Sequence, residues 1–243
     1  MKTTQTLSLA SQNLIQAITN QNISGDLNQK ALSNLNKKHL WPLFLRKFES
    51  ITKSKFHQTP ESLANISCLF HYFLMDEKFL NHPNIRKDLS EPSFTKGLLI
   101  IGGYGVGKTA YMRALEESFK ALKIYAFKTC STNSVVQRFE ECGTHEDKVS
   151  LRKDFQRGIL LFDDLNSERV ANHYGKVDVM KETLEERYML NKLTHITMNY
   201  LEQHENDVEA TLMSIGQRYG SRVYDRLFEM FNIVVFNGKS FRK

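Results

Sequence analysis

The sequence predicts a three-layer α/β fold in which helices cover both faces of a five-stranded parallel sheet. From about residue 95 onward, apolar segments of strand length alternate with segments of helical periodicity. Nearly every residue in those strands is apolar, which is typical of parallel strands buried on both faces. A hydrophobic content of 41% and a charged content of 25% are those of a folded globular chain.

The predicted strands span residues 97–103, 124–127, 158–164, 195–199 and 232–236. Helices are predicted over 109–123, 131–141, 145–157 and 178–192, with two more over 204–229. Earlier in the chain, Thr59, Pro60 and Glu61 form a start signal for a helix that runs to about Leu80. All four prolines lie at or before residue 92. We therefore expect a boundary between about residues 84 and 95, which divides the chain into a module of residues 1–92 and a domain of residues 93–243.

The positive charge of the chain is concentrated near its N-terminus. The net charge is +6, and residues 1–60 hold eight basic side chains against two acidic ones. The run from His39 to Phe56 interleaves aromatic and basic residues, a pattern that fits either a nucleic-acid surface or a small core with extended lysines. A local basic surplus favours an acidic partner, with a solubilising segment as the alternative. We expect a basic, mostly helical N-terminal module that binds a partner.

A glycine-rich loop follows the first predicted strand and precedes a predicted helix. Residues 102–109 read GGYGVGKT, which is a glycine, four residues, then Gly, Lys and Thr. Backbone amides in such a P-loop surround phosphate groups, the lysine reaches the terminal phosphates, and the hydroxyl binds Mg²⁺. The sequence thus predicts an ATP site at Gly102, Gly103, Tyr104, Gly105, Val106, Gly107, Lys108, Thr109 and Ala110.

A carboxylate that binds the metal is expected at the end of a neighbouring strand. Asp163 closes the apolar run ILLF, so we predict that it binds Mg²⁺ together with Thr109. Asp164 is placed to orient or deprotonate the attacking water, with a second metal-shell or capping carboxylate as the alternative. The long interval between Lys108 and Asp163 leaves room for another strand between the two motif strands, as in the additional-strand branch of P-loop ATPases.

Residues 95–243 resemble the AAA+ ATPases of the DnaC helicase-loader and IstB transposition-helper group. The stretch EERYMLNKLTHITMNYL (185–201) is similar to a segment of that group in which a helix ends in Arg-Tyr and the next strand ends in a polar sensor residue. The stretch YGSRVYDRLFEMFNIVVFNGKSFRK (219–243) is similar to the C-terminal segment of that group. The resemblance implies that Asn199 is the first sensor and Arg242 the second. It also implies an arginine finger, supplied to a neighbouring subunit by Arg222 or, as the competing candidate, by Arg226.

The function implied by this resemblance is that of an ATP-dependent helicase loader in DNA replication. Its expected partners are a replicative hexameric helicase, single-stranded DNA and further copies of the chain. Because the shorter Asp164 stands where many AAA+ enzymes have glutamate, we expect slow, partner-stimulated hydrolysis. The residues after Phe236 are too few for the helical lid of most AAA+ proteins, so we expect a core without one. The alternatives are a transposition-helper ATPase, a nucleotide kinase and a non-hydrolysing ATP-bound adaptor, and no segment supplies the basic lid of a kinase.

Membrane and metal sites of other kinds are not expected. No apolar stretch approaches the roughly 18 residues of a membrane span, and the opening residues lack the apolar block of a secretory signal. We therefore expect a cytoplasmic protein without a membrane partner. Cys68, Cys130 and Cys142 are odd in number and widely spaced, which fits neither a disulfide framework nor a zinc site.

Overall fold

The computed structural model describes residues 35–124, 126–172 and 175–242. Its strands are β1 (Gly97–Gly102), β2 (Lys128–Ser131), β3 (Leu160–Asp163), β4 (Ala171–Asn172), β5 (Lys176–Val177), β6 (Thr194–Asn199) and β7 (Phe231–Phe236). Five of them form one sheet in the order β2-β3-β6-β1-β7, and every neighbouring pair in it is parallel. The predicted α/β class with a five-stranded parallel sheet is confirmed.

Helices cover both faces of this sheet. They are α1 (Lys37–Thr52), α2 (Pro60–Phe73), α3 (Lys108–Ala121), α4 (Thr132–Glu140), α5 (His145–Gln156), α6 (Val179–Met189), α7 (Val208–Tyr219) and α8 (Ser221–Met230). Leu98 and Ile100 of β1 share a buried cluster with α1, α2 and α3, whereas Leu99 and Ile101 share another with α4 to α8. Successive side chains of a strand point to opposite faces, so the central strand contributes to both layers of packing.

The helix starts follow the expected capping chemistry. The Thr59 hydroxyl accepts a hydrogen bond from the amide of Ser62, whose own hydroxyl bonds back to Thr59, and Pro60 occupies the first helical position. Side-chain oxygens at such positions satisfy amides that have no partner within the helix. The predicted helix nevertheless ends at Phe73 rather than Leu80, because a separate 3₁₀ helix, Glu77–Asn81, follows it.

The second strand differs from the prediction. It spans Lys128–Ser131 rather than residues 124–127. The amide of Ile124 bonds instead to the carbonyl of Phe119 and closes the end of α3. Ile124 and Phe127 are both buried in the core, so their apolar character reflects packing rather than strand pairing.

The order of the strands also refines the expected topology. β2 lies between the two motif strands in sequence but stands at the edge of the sheet. The strand that separates β1 from β3 in space is β6, which pairs with both. A two-stranded antiparallel hairpin of β4 and β5 was not predicted. Residues 237–242 follow β7 with no further helix in the described part of the chain.

The aromatic residues of α1 belong to the core that covers the sheet. Leu40 and Phe44 are fully buried, and the ring of Phe44 contacts those of Phe70 on α2 and Tyr111 on α3 at 5.7 and 6.1 Å between centroids. The run from His39 to Phe56 was predicted to form either a nucleic-acid surface or a small core, and its aromatic side chains belong to a helical core. Lys38 and Arg46 of the same helix are exposed.

The segment in which we predicted the domain boundary pairs with the sheet. Ile85 forms an antiparallel bridge with Val234, and the amide of Arg86 donates to the carbonyl of Ile233 at 2.9 Å. The outer edge of β7 is thereby covered, which removes unpaired backbone groups from the surface. Residues 35–92 and the sheet thus share one packed structure, and the division of the chain into two functional units stays a prediction.

Two further properties can be stated for the part of the chain described. No helix in it combines the length and apolar character needed to cross a membrane. Within it, Cys68, Cys130 and Cys142 take part in no disulfide bond.

Candidate nucleotide-binding site

The predicted P-loop connects β1 to α3 in the expected way. β1 ends at Gly102, and α3 begins at Lys108. Gly105 and Gly107 have φ angles of 77° and 98°, in the left-handed region that disfavours side chains. A Cβ on Gly105 would lie 2.2 Å from the Ser240 hydroxyl, and one on Gly107 would lie 2.5 Å from the Tyr111 ring. Glycine is therefore required at both positions.

Lys108 is buried at the centre of this loop. Its ammonium donates to the carbonyls of Gly102 and Gly103 at 2.7 and 2.8 Å, and to Oδ1 of Asn199 at 2.8 Å. Burial lowers the pKa of Lys108 to about 8, with a smaller contribution from Arg242, although neighbouring carboxylates oppose the shift. The lysine is thus held by neutral acceptors that a phosphate group could replace.

The two predicted metal ligands lie in contact. The Thr109 hydroxyl donates to Oδ1 of Asp163 at 2.8 Å, although the residues come from different elements, α3 and β3. A hydroxyl beside a carboxylate is the hard oxygen set that Mg²⁺ prefers, so these residues fit the expected metal. No group of three or more His, Cys, Asp or Glu side chains suited to a metal occurs among the described residues.

Thr197 is a site residue that the sequence analysis missed. Its hydroxyl donates to Oδ1 of Asp163 at 2.6 Å and accepts from the amide of Asp164 at 3.0 Å. A signal was present, because Thr197 and Asn199 are polar residues two apart at the carboxyl end of β6. That spacing places both side chains on one face of β6.

Asp164 has an unusual backbone conformation and is held from several sides. Its φ angle is 65°, which is uncommon for a residue other than glycine. Its Oδ1 accepts from Nδ2 of Asn199 at 2.7 Å, and its carbonyl accepts from the hydroxyls of Thr132 and Ser167. Asn199 consequently links Asp164 to Lys108, which brings the predicted sensor and catalytic carboxylate together.

An open cleft of 580 Å³ runs along these residues. Tyr104, Gly105, Gly107 and Ala110 of the loop line it. Val106 does not, because its side chain is buried in the core. Much of the opposite wall was missed by the sequence analysis: it comes from residues 48–57 at the end of α1 and the segment that follows. No sequence signal linked these distant residues to the loop.

The three predicted arginines occupy different places. Arg242 lines the cleft. Arg226 lies outside it, with its guanidinium 4.3 Å from the centroid of the Tyr188 ring. Arg222 is exposed on the first turn of α8, also outside the cleft, and forms no ion pair within the described ranges. The structure thus brings Arg242 to the site and leaves both finger candidates away from it.

The parallel sheet and the geometry of the glycine-rich loop are those of the P-loop fold. The solved structure of the DnaC helicase loader has the same fold, with a TM-score of 0.51 and 20% sequence identity, covering 83% of this chain and 100% of that chain. DnaI has a TM-score of 0.47 and 17% identity, covering 86% and 95% of the two chains. AMPPCP-bound DnaA from Aquifex aeolicus has a TM-score of 0.40 and 20% identity, covering 58% and 40%.

No protein-family profile and no curated protein sequence matches the chain. The likeness to the DnaC helicase loader shows that the chain has the fold of the DnaC group of AAA+ proteins, as the sequence predicted.

Proposed function

We propose that the chain is an ATP-dependent helicase loader in DNA replication. The ATPase activity is proposed because hydrogen bonds connect Lys108 to Asn199 and Asn199 to Asp164. The hydrogen-bonded pair of Thr109 and Asp163 lies beside them. The fold shared with a helicase loader supports the replication part. ATP is the proposed substrate, and Mg²⁺ is the proposed cofactor.

Thr109 and Asp163 would hold the magnesium ion. When bound, the ion would offset the negative charge that develops during phosphoryl transfer. Thr197 keeps Asp163 oriented by the bond to its Oδ1. The two protein ligands would be one neutral hydroxyl and one carboxylate, which are the hard oxygen donors that Mg²⁺ favours.

Asp164 is the proposed group that orients or deprotonates the attacking water. Its carboxylate is already bonded to Asn199, which in turn accepts from Lys108. When the Lys108 ammonium turns to the phosphates, Oδ1 of Asn199 loses a donor and becomes free to accept a hydrogen bond from the attacking water. The chain's own residues thereby couple phosphate binding to the placement of the catalytic carboxylate.

Hydrolysis is proposed to be completed by Arg222 of a neighbouring copy. Its exposed position on α8 leaves the guanidinium available, whereas Arg226 is engaged with Tyr188. An arginine finger contributes about 10³ to 10⁵ in rate, so an isolated copy hydrolyses slowly. Arg222→Ala should bind ATP normally but lose the activity that rises with protein concentration. Mixing it with Lys108→Ala should restore part of that activity, and no recovery despite co-assembly would exclude Arg222.

The proposed DNA contact is the set of exposed cations on α1. Exposed cations there include Lys37, Lys38 and Arg46, and Glu49 is the one acidic residue in the helix. The end of the same helix lines the nucleotide cleft. A bound nucleotide would therefore contact the helix that carries these cations, and could change how they meet DNA.

The loader function is tested with a labelled single-stranded oligonucleotide and the replicative helicase of the same organism. The protein should bind the oligonucleotide and the helicase more strongly with ATP than with ADP. Lys37→Glu, Lys38→Glu and Arg46→Glu combined should weaken DNA binding and reduce its salt dependence, since each lost phosphate contact lowers the slope by about 0.7. The matched control reverses Lys153, Lys176 and Lys192 elsewhere on the surface. ATP binding without turnover, even with both partners, would instead identify a non-hydrolysing adaptor.

A further inference from the structure

Two segments that are distant in sequence line the nucleotide cleft beside the P-loop. Residues 48–57 contribute one wall, and Phe241 and Arg242 contribute another. The phosphate and metal chemistry described above uses neither Phe241 nor His57. These two rings therefore line a binding cleft without an assigned role.

The C-terminal residues are fixed in this position by several contacts. The amide of Phe241 donates to the carbonyl of Gly105 at 3.1 Å, and Ser240 packs closely on the same glycine. Farther back, Nδ2 of Asn65 donates to the carbonyl of Asn237 at 2.8 Å, and the amide of Asn237 donates back to Oδ1 of Asn65. Residues 237–241 are thus tied to the P-loop at one end and to α2 at the other.

The rings of His57 and Phe241 lie nearly parallel across the junction of these segments. Their centroids are 5.7 Å apart, and the angle between their planes is 7°. The ring of Phe241 remains 38% exposed. Phe48 and Ile51 of α1 contribute apolar side chains to the same cleft, next to the polar Thr52 and Ser54. An aromatic pair and two apolar side chains therefore line the cleft that also contains the phosphate loop.

We propose that the His57–Phe241 pair is the platform on which the base of the bound nucleotide stacks. The inference rests on the proposed ATP site, since Lys108 and the P-loop fix the phosphate end of the ligand. A base is flat and aromatic, so it is expected to stack where the cleft offers aromatic and apolar side chains. Phe241 thereby connects base recognition to Gly105, the residue that its amide contacts.

The test compares ATP with inorganic tripolyphosphate, which has the phosphates but no base. Affinities of the full chain for both ligands, with Mg²⁺, are measured by calorimetry. Phe241→Leu and His57→Ala should each bind ATP about 5- to 100-fold more weakly, the range expected for loss of one base–aromatic contact. Their affinity for tripolyphosphate should not change. Phe241→Tyr, which keeps the ring, should bind ATP as the wild type does.

Two controls keep the result interpretable. Met189→Ala removes another exposed apolar side chain, far outside the cleft lining, and should bind both ligands normally. Trp41 is the single tryptophan and lies in the aromatic core, so its fluorescence reports whether each variant is folded. Unchanged ATP affinity in both variants would overturn the proposal. Equal losses for ATP and tripolyphosphate would overturn it too, because the rings would then support the phosphate loop. A wild type that binds neither ligand would refute the ATP site itself.

Discussion

The two ends of the parallel sheet both carry buried polar side chains, but the partners of these side chains differ. At the carboxyl end, Lys108, Asn199 and Asp164 bond to one another beside an open cleft. At the amino end, Arg187 and Asn232 are fully buried and bond mainly to backbone carbonyls. The first set can exchange its bonds for those of a ligand, whereas the second set is fixed by the chain itself.

The amino end shows how a charged residue can be structural. The Arg187 guanidinium donates to the carbonyls of Phe155, Leu193 and Gly158 at 2.6, 2.7 and 3.0 Å, and Nε donates to the Thr194 hydroxyl. These contacts hold the beginnings of β3 and β6 against α5 and α6. A polar residue next to a strand is therefore functional only where its partners are replaceable. The Arg-Tyr pair in the segment that resembles helicase loaders includes an arginine of the structural kind.

The largest expected effect comes from removing Asp164, the proposed catalytic carboxylate at the carboxyl end. Asp164→Asn keeps the side-chain shape but cannot accept a proton, so ATP hydrolysis should fall about 10²- to 10⁴-fold. Nucleotide affinity and melting temperature should stay close to wild type. Glu146→Gln is the matched control, because it also removes one carboxylate but at an exposed position. Hydrolysis at the wild-type rate in Asp164→Asn would remove Asp164 from the mechanism.

The reverse pattern is expected at the amino end. Arg187→Leu leaves several buried carbonyls without donors, so the free energy of unfolding should fall by more than about 3 kcal/mol. Denaturant unfolding measures this loss. The nucleotide affinity of the molecules that remain folded should be unchanged. The exposed Arg157→Leu should alter stability by less than about 0.5 kcal/mol. A stable Arg187→Leu protein with impaired nucleotide binding would contradict the distinction between the two ends.

Thr197 tests whether a supporting residue at the carboxyl end acts through its neighbours. Thr197→Val preserves shape but removes the bonds to Asp163 and to the amide of Asp164. Loss of bonds worth about 1 kcal/mol each predicts a decrease in hydrolysis rate of roughly 5- to 30-fold, with a smaller change in ATP affinity. Thr197→Ser keeps the hydroxyl and should recover most of the rate. Equal losses in both variants would assign Thr197 to packing alone.

The smallest effect concerns the protonation of Lys108. Its pKa is lowered to about 8 in the free protein, mainly by burial, so part of the population is neutral at about pH 8.5. Phosphates favour the charged form and raise this pKa, so ATP binding should take up less than one proton and weaken as pH rises above 8. Calorimetry in two buffers of different ionisation enthalpy measures the uptake. Proton release at this pH would contradict the assignment.

The sequence by itself determined the elements whose cause is local. The run of apolar residues before GGYGVGKT predicted β1. The loop was predicted because its glycines and the helix start that supplies backbone amides are adjacent in the sequence. Asp163 and Asp164 were predicted for the same reason, as they close an apolar strand. The start of α2 followed from Thr59 and Pro60.

The tertiary structure alone decided which distant residues meet. β2 was misplaced because the apolar character of Ile124 and Phe127 reports burial, and burial does not distinguish a strand from a packed turn. Phe241 reaches Gly105 only because β7 is paired in parallel with β1, so that both strands end at the same edge. His57 reaches Phe241 because the aromatic face of α1 packs on α3. Contacts of this kind depend on strand order and helix packing, which the periodicity of a single sequence does not encode.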